Sequence, residues 1–213
     1  MGRRALRKID SALDLSRHLM TWDDLPQPWD SATLFGRDAP LEVEVGSGKG
    51  LFLQSAAIAM PDHDFLGIEI ATKYARFAAA RLAKHELPNA IAIHGDGQRL
   101  FAELLPDGSL TAVHVYFPDP WWKKRHEKRR VLNERFVREV ERTLASGGKL
   151  HYWTDVHERF GETLELLARA TTLAGPLPVV ELPAEHDLDY RTHFERRMRL
   201  TGLPVYRAEF RKR

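Results

Sequence analysis

The decapeptide Leu41-Glu-Val-Glu-Val-Gly-Ser-Gly-Lys-Gly50 decides the fold. Leu41 to Val45 alternates with the period of two that a strand needs, and glycines at 46, 48 and 50 let the backbone turn sharply and admit a ligand without a Cβ in the way. Leu51-Phe-Leu53 and Ala56 to Met60 then read as a helix closed by Pro61. The same alternation continues downstream. Phe65 to Ile70, Ala90 to His94, Leu110 to Phe117 and Lys149 to Trp153 read as strands. Ala71 to His85, Gln98 to Leu105, Val131 to Ala145 and Val156 to Ala170 read as helices. Beyond Gly175-Pro176 the pattern shortens to strand-like pieces, Leu177 to Leu182 and Leu203 to Phe210. Strands alternating with helices predict an α/β protein, a mostly parallel sheet with helices on both faces and ligands at the carboxyl ends of the strands.

Those ends carry acids: Glu44 with the glycine turn, Glu69, Asp96 and Asp119. Gly46-x-Gly48-x-Gly50 is not the dinucleotide fingerprint, whose third glycine would fall at Leu51, and four carboxylates would repel a pyrophosphate. A cationic sulfonium cofactor such as S-adenosylmethionine suits them, with Glu69 spaced to accept hydrogen bonds from ribose hydroxyls. His94 and His114 sit inside apolar strands and read as hydrogen-bonded core or face residues, not ligands.

Composition narrows the class further. The 213 residues are 43% hydrophobic and 29% charged, enough apolar material for one sizeable domain. The absence of cysteine removes disulfides, thiolate metal sites and Cys nucleophiles, and no His-Glu-x-x-His pair suggests zinc, so no metal is expected. No uncharged stretch approaches the roughly 20 residues of a membrane span, and the amino terminus is basic without an apolar run behind it, so a cytoplasmic protein is expected. The net charge of +2 is unevenly spread. Lys123 to Arg130 carries +5, Arg191 to Arg213 carries +6 and Met1 to His18 carries +3, which leaves −12 on the rest. An acidic body with basic segments suggests a polyanion held at certain faces.

Val115-Tyr-Phe-Pro-Asp-Pro-Trp-Trp-Lys-Lys-Arg-His-Glu-Lys-Arg-Arg130 joins the two themes. Pro118 and Pro120 bracket Asp119 and should hold its carboxylate in a stiff turn at the strand mouth. Trp121 and Trp122 could stack on an extruded base or cover the core, and the cations that follow could pair with phosphates.

This segment resembles the FPDPW-x-KKRH-x-KRR signature of the bacterial tRNA (guanine-N7-)-methyltransferase family. The likeness extends to Glu42–Gly50, Gly67–Ile70, Gly95-Asp96, Thr154-Asp155 and Thr192-His-Phe-Glu195. The resemblance implies a class I S-adenosylmethionine-dependent, Rossmann-like fold that methylates N7 of the variable-loop guanosine, position 46, of tRNA. It implies Glu44, Gly46, Gly48, Glu69, Asp96 and Asp119 at the cofactor, with Asp119 also catalytic. Substrate contacts would come from Lys123, Arg125, His126, Lys128, Arg129, Arg130 and Asp155, and from Thr192, His193, Phe194 and Glu195. Residues 1–40 form an extension before a methyltransferase domain at 41–213, and a monomer or homodimer is expected. Two other readings stay open. Asp119-Pro120-Trp121 is similar to the motif of exocyclic-amino methyltransferases, and a tRNA-binding protein without activity would share the basic segments.

Overall fold

The computed structural model describes residues 8–121, 130–181 and 183–213. Eight strands form one sheet: β1 (Leu19–Thr21), β2 (Leu41–Val45), β3 (Asp64–Glu69), β4 (Ala90–His94), β5 (Leu110–Tyr116), β6 (Leu144–Thr154), β7 (Ala174–Leu177) and β8 (Tyr206–Arg211), in the order β1-β4-β3-β2-β5-β6-β8-β7. Pairing is parallel from β1 to β6; β8 runs antiparallel to β6 and β7. Connection order reverses between β2 and β5, the place where an open parallel sheet leaves a crevice.

Helices cover both faces, as the strand–helix alternation predicts. On one, Phe52, Leu53 and Ala56 of α2 (Leu51–Ala59) and Ala78, Ala79 and Leu82 of α3 (Thr72–Lys84) bury against Phe65, Ala90, Ala92, Tyr116 and Trp153. On the other, α4 (Gly97–Glu103), α5 (Glu134–Thr143) and α6 (His157–Ala170) supply Leu100, Phe101, Phe136, Val140 and Leu167 against Val43, Val45, Ile68, Ile93 and Val113. Burying the methyl and ring groups on both sides of β2 is what makes Leu41–Val45 inaccessible along its whole length. A short α1 (Ser31–Phe35) precedes β2.

Several elements differ from the sequence reading. The helix expected from Val131 starts at Glu134, because the Asn133 side chain accepts the Phe136 N–H at 3.0 Å and caps it there. The strand expected over Leu177 to Leu182 lies earlier, at Ala174–Leu177; Pro178, which lacks an N–H, follows its last residue. The final strand begins at Tyr206, beyond Pro204. Helix α7 (His193–Leu200) stands where only strand-like pieces were read, and Leu19–Thr21, before the motif-bearing region, pairs with Ala92–His94 as an edge strand.

A polar ladder lies under α2. His114 and His151 stack with ring centroids 4.8 Å apart. Glu42 Oε2 meets His114 Nε2 at 2.7 Å and Glu42 Oε1 meets His63 Nδ1 at 2.8 Å, while His114 Nδ1 lies 2.9 Å from the Tyr116 hydroxyl. Glu42 can only accept while ionised, so His114 Nε2–H donates to it and Nδ1 accepts from Tyr116, a neutral imidazole satisfied on both sides. His94 likewise has a partner, the Thr72 hydroxyl at 3.0 Å, so both histidines are hydrogen-bonded residues of the fold. Burial holds the His114 imidazole below its ordinary value despite Glu42. It pushes His151 down to about 2, aided by the charges of Arg191 and Lys149.

The sign of the pH effect follows. Below about pH 6.5 the unfolded chain protonates His151 and the folded chain does not, so this residue's contribution to stability is present above that pH and lost on acidification. Urea unfolding between pH 6 and pH 5 should show the native protein losing about 1.4 kcal/mol per pH unit relative to His151→Gln. Parallel curves for the two proteins would contradict the burial of a neutral His151.

Candidate active site

The strand order places the four acids side by side. Reading β4-β3-β2-β5 across the sheet, Asp96, Glu69, Glu44 and Asp119 all belong to carboxyl ends of neighbouring parallel strands or the turns just after them. The glycine turn sits in the middle. Gly46, Gly48 and Gly50 adopt φ of 81°, 52° and 68°, a region closed to most side-chain-bearing residues. Gly50 is further constrained, since a Cβ there would lie 2.7 Å from the Ala78 Cβ of α3. Glu69 braces the turn from the adjacent strand: its Oε2 accepts the Gly48 N–H at 3.0 Å and its Oε1 the Ala71 N–H at 2.8 Å. Gly46 and Ser47 N–H groups both donate to the Ile68 carbonyl, at 2.8 and 3.2 Å.

Glu44 is 3% exposed, and its Oε2 has no hydrogen-bond partner among the described residues. Burial first, and then the nearby Glu69 charge, raise its carboxyl well above the usual range; Arg191 opposes them. A buried acid beside a second acid, at a turn open to ligand, is a site made for a cation. These residues therefore fit S-adenosylmethionine, whose sulfonium and ammonium supply positive charge. Asp96 is exposed and caps α4 by accepting the Gln98 N–H at 2.9 Å, which fixes the direction of its carboxylate.

Asp119 lies in the turn after β5, exposed between its two prolines. The residues flanking that Pro-Asp-Pro unit, Phe117 and Trp121, both adopt left-handed φ, 50° and 40°, and the Phe117 N–H is tied to the Trp153 carbonyl at 2.8 Å. Two non-glycine residues in this region mark a turn held against local preference. A cleft of about 360 Å³ opens beside Asp119 and is lined by Arg130, Tyr152, Thr154, Arg159 and Thr163 among others. Arg130 and Arg159 both pair with Glu162. Asp155, half-buried, follows the end of β6 at the same sheet edge. Lys123, Arg125, His126, Lys128 and Arg129, with Trp122, lie outside the described residues.

The Thr192–Glu195 segment forms the start of α7 and uses its polar side chains internally. Thr192 Oγ1 accepts the Glu195 N–H at 3.0 Å, and Glu195 Oε2 accepts the Arg191 N–H at 2.6 Å. Glu195 is 2% exposed; its Oε1 receives Arg199 at 3.3 Å and Arg207 at 3.2 Å, and both arginines also pair with Glu181. What α7 presents outward at its first turn is His193 and Phe194. The Phe194 ring stacks on Phe117 with centroids 5.8 Å apart and lies under Arg197 at 4.4 Å, so the helix is laid against the turn that carries Asp119. The sequence reading missed this helix, although Thr192-x-x-Glu195 fits a capping pattern that could have found it. Arg81 and Arg191, which reach this region from α3 and from the residue before Thr192, carried no such signal.

Fold and site together define a class I S-adenosylmethionine-dependent methyltransferase. The solved precorrin-6y C5,15-methyltransferase of Geobacter metallireducens shares the fold, with a TM-score of 0.56 over 83% of this chain and 82% of that one at 17% identity. Residues 38–208 match the family described as "Putative methyltransferase". The tRNA (guanine-N(7)-)-methyltransferase of Rhodopirellula baltica is 55% identical over 100% of this chain and 81% of its own length. That of Alkalilimnicola ehrlichii is 37% identical over 88% and 78%. The chain belongs to the tRNA (guanine-N(7)-)-methyltransferase family.

Glu44→Gln separates binding from stability. Because the folded protein raises this carboxyl, its ionisation opposes folding at high pH and not below about pH 4.5. The variant should melt higher than the native protein, by a margin that grows from pH 5 to pH 8, while binding S-adenosylhomocysteine or S-adenosylmethionine at least tenfold more weakly by calorimetry. An unchanged melting difference across that range would rule out the raised carboxyl.

Proposed function

We propose that the chain transfers the methyl group of S-adenosylmethionine to N7 of the variable-loop guanosine of tRNA, with Asp119 as the catalytic residue. The observation that carries the reading is the adjacency, on one sheet edge, of the acid-lined glycine turn and the Phe117–Trp121 turn, with α7 lapped against the latter. Guanine N7 bears a lone pair and no proton, so the reaction needs no base at the nucleophile. Alignment and charge are the requirements. The cofactor, when bound, supplies an activated methyl on a positive sulfur, and transfer moves that charge toward the base. Asp119, fixed by its prolines, would stabilise the cationic product-like state more than the neutral guanine, and would accept from the N1 or N2 donors to orient the ring.

Glu44, Glu69 and Asp96 would hold the cofactor, the first by charge and the other two as acceptors for its hydroxyl and amino groups. Gly46 and Gly48 would let it approach the main chain. Lys123, Arg125, His126, Lys128, Arg129 and Arg130 would grip the phosphates around the guanosine. Asp155, His193 and Phe194 would meet the nucleotide, with Thr192 and Glu195 serving by holding α7 in place. A cysteine-free chain acting on tRNA suits the cytoplasm, and a monomer or homodimer is the working unit of this reading. Among the described residues no helix is long and apolar enough to cross a membrane, and no group of His, Asp and Glu is placed to hold a metal.

Incubation with unmodified tRNA and labelled methyl donor should give 7-methylguanosine at the variable loop and none when that guanosine is replaced. An exocyclic-amino product would overturn the reading. Asp119→Asn should lower single-turnover transfer roughly 100-fold at saturating ligands. Neutralising two cations among Lys128, Arg129 and Arg130 should reduce the salt slope of tRNA binding by about 0.7–0.9 per lost contact and leave cofactor affinity unchanged.

A further inference from the structure

One cation ties the cofactor turn to the helix on the substrate side. Arg81, half-buried in the last turn of α3, spreads its guanidinium over three elements. Its Nε donates to the Lys49 carbonyl inside the glycine turn at 3.0 Å. Its Nη1 donates to Oε1 of Gln54, a buried residue of α2, at 2.6 Å. Its Nη2 lies 3.2 Å from Nε2 of His193, 112 residues away at the first position of α7. Arginine carries no acceptor, so Nη2 donates and His193 Nε2 accepts. The planar fork is what lets one side chain serve all three acceptors at fixed mutual angles; a lysine ammonium could not. Behind it, the Gly50–Ala78 approach leaves no room for the turn to slide along α3.

We propose that Arg81 is a positioning residue that couples cofactor binding to tRNA binding, by holding the glycine turn and the first turn of α7 in one register. The inference rests on the reading that the first turn of α7 meets the nucleotide. A ligand that orders the turn around Lys49 fixes the Arg81 fork, and the fork fixes His193. The outward face of α7, with Phe194 stacked on Phe117 beside Asp119, is then preset for the base. By linkage, tRNA must return the same factor to cofactor affinity.

The test is a cycle on the full chain. The dissociation constant of unmodified tRNA is measured with and without saturating S-adenosylhomocysteine for the native protein, Arg81→Lys, Arg81→Gln, His193→Ala and the Arg81→Gln/His193→Ala pair. Circular dichroism and melting accompany each. The native ratio should be about fivefold or more in favour of the liganded protein. It should fall to within twofold of unity in every variant, and the pair should lose no more than either single change. A merely structural Arg81 would weaken each ligand alone and leave the ratio intact, which overturns the inference, as does a native ratio of one. If Arg81→Gln does not fold, Arg81→Lys and His193→Ala decide by the same ratio. Native protein that labels tRNA while the ratio ignores these changes defeats the coupling alone; native protein that labels no tRNA defeats the functional reading beneath it.

Discussion

A single carboxylate between two backbone amides sets the geometry on which the rest of the site depends. Glu69 accepts from Gly48 on one strand's turn and from Ala71 at the head of α3, and so locks the ends of β2 and β3 to each other. A charge-assisted bond to a main-chain N–H is stronger than a neutral one and tolerates little displacement. Without it the three left-handed glycines would have many conformations to choose from, since glycine gives up more freedom on ordering than any other residue. The brace converts a permissive sequence into a defined concavity, while each Glu69 oxygen keeps a lone pair for a hydroxyl group.

The electrostatics divide into two zones on the same face of the sheet. Around Glu42 the acid is satisfied by two imidazoles and stays ionised below its ordinary range, and the zone is closed. Two residues along β2, Glu44 has a raised carboxyl and a buried oxygen without a hydrogen-bond partner among the described residues. The contrast between two glutamates on one strand is one of partners: Glu42 is held by two imidazoles, and Glu44 sits in a buried pocket beside the charge of Glu69.

Much of this was legible in the chain. The glycine turn, the strand-end acids and the Pro-Asp-Pro turn are local signals, and parallel topology turns their sequence spacing into spatial adjacency without further information. Residues 174–211 were harder to read. Their strands are short, interrupted by Pro176, Pro178 and Pro204, and antiparallel at the sheet edge, so hydrophobic periodicity is weak. The cap pattern Thr192-x-x-Glu195 was there to find, but those two residues read only as substrate contacts, because a resemblance gives position and not partner. Arg81 was invisible for a plainer reason: its three acceptors come from residues 49, 54 and 193, and nothing in a helix of alanines and arginines says which arginine turns inward.

The three residues Leu19–Thr21 are a small addition to a large sheet, yet they sit where β4 would otherwise end it. An unpaired outer strand offers a row of amides and carbonyls to any neighbouring molecule, and β4, Ala-Ile-Ala-Ile-His, is apolar and short of charge to discourage such a visitor. Pairing with Leu19–Thr21 satisfies that row and leaves a strand of only three residues as the margin of the sheet, too short a template for a second molecule to extend.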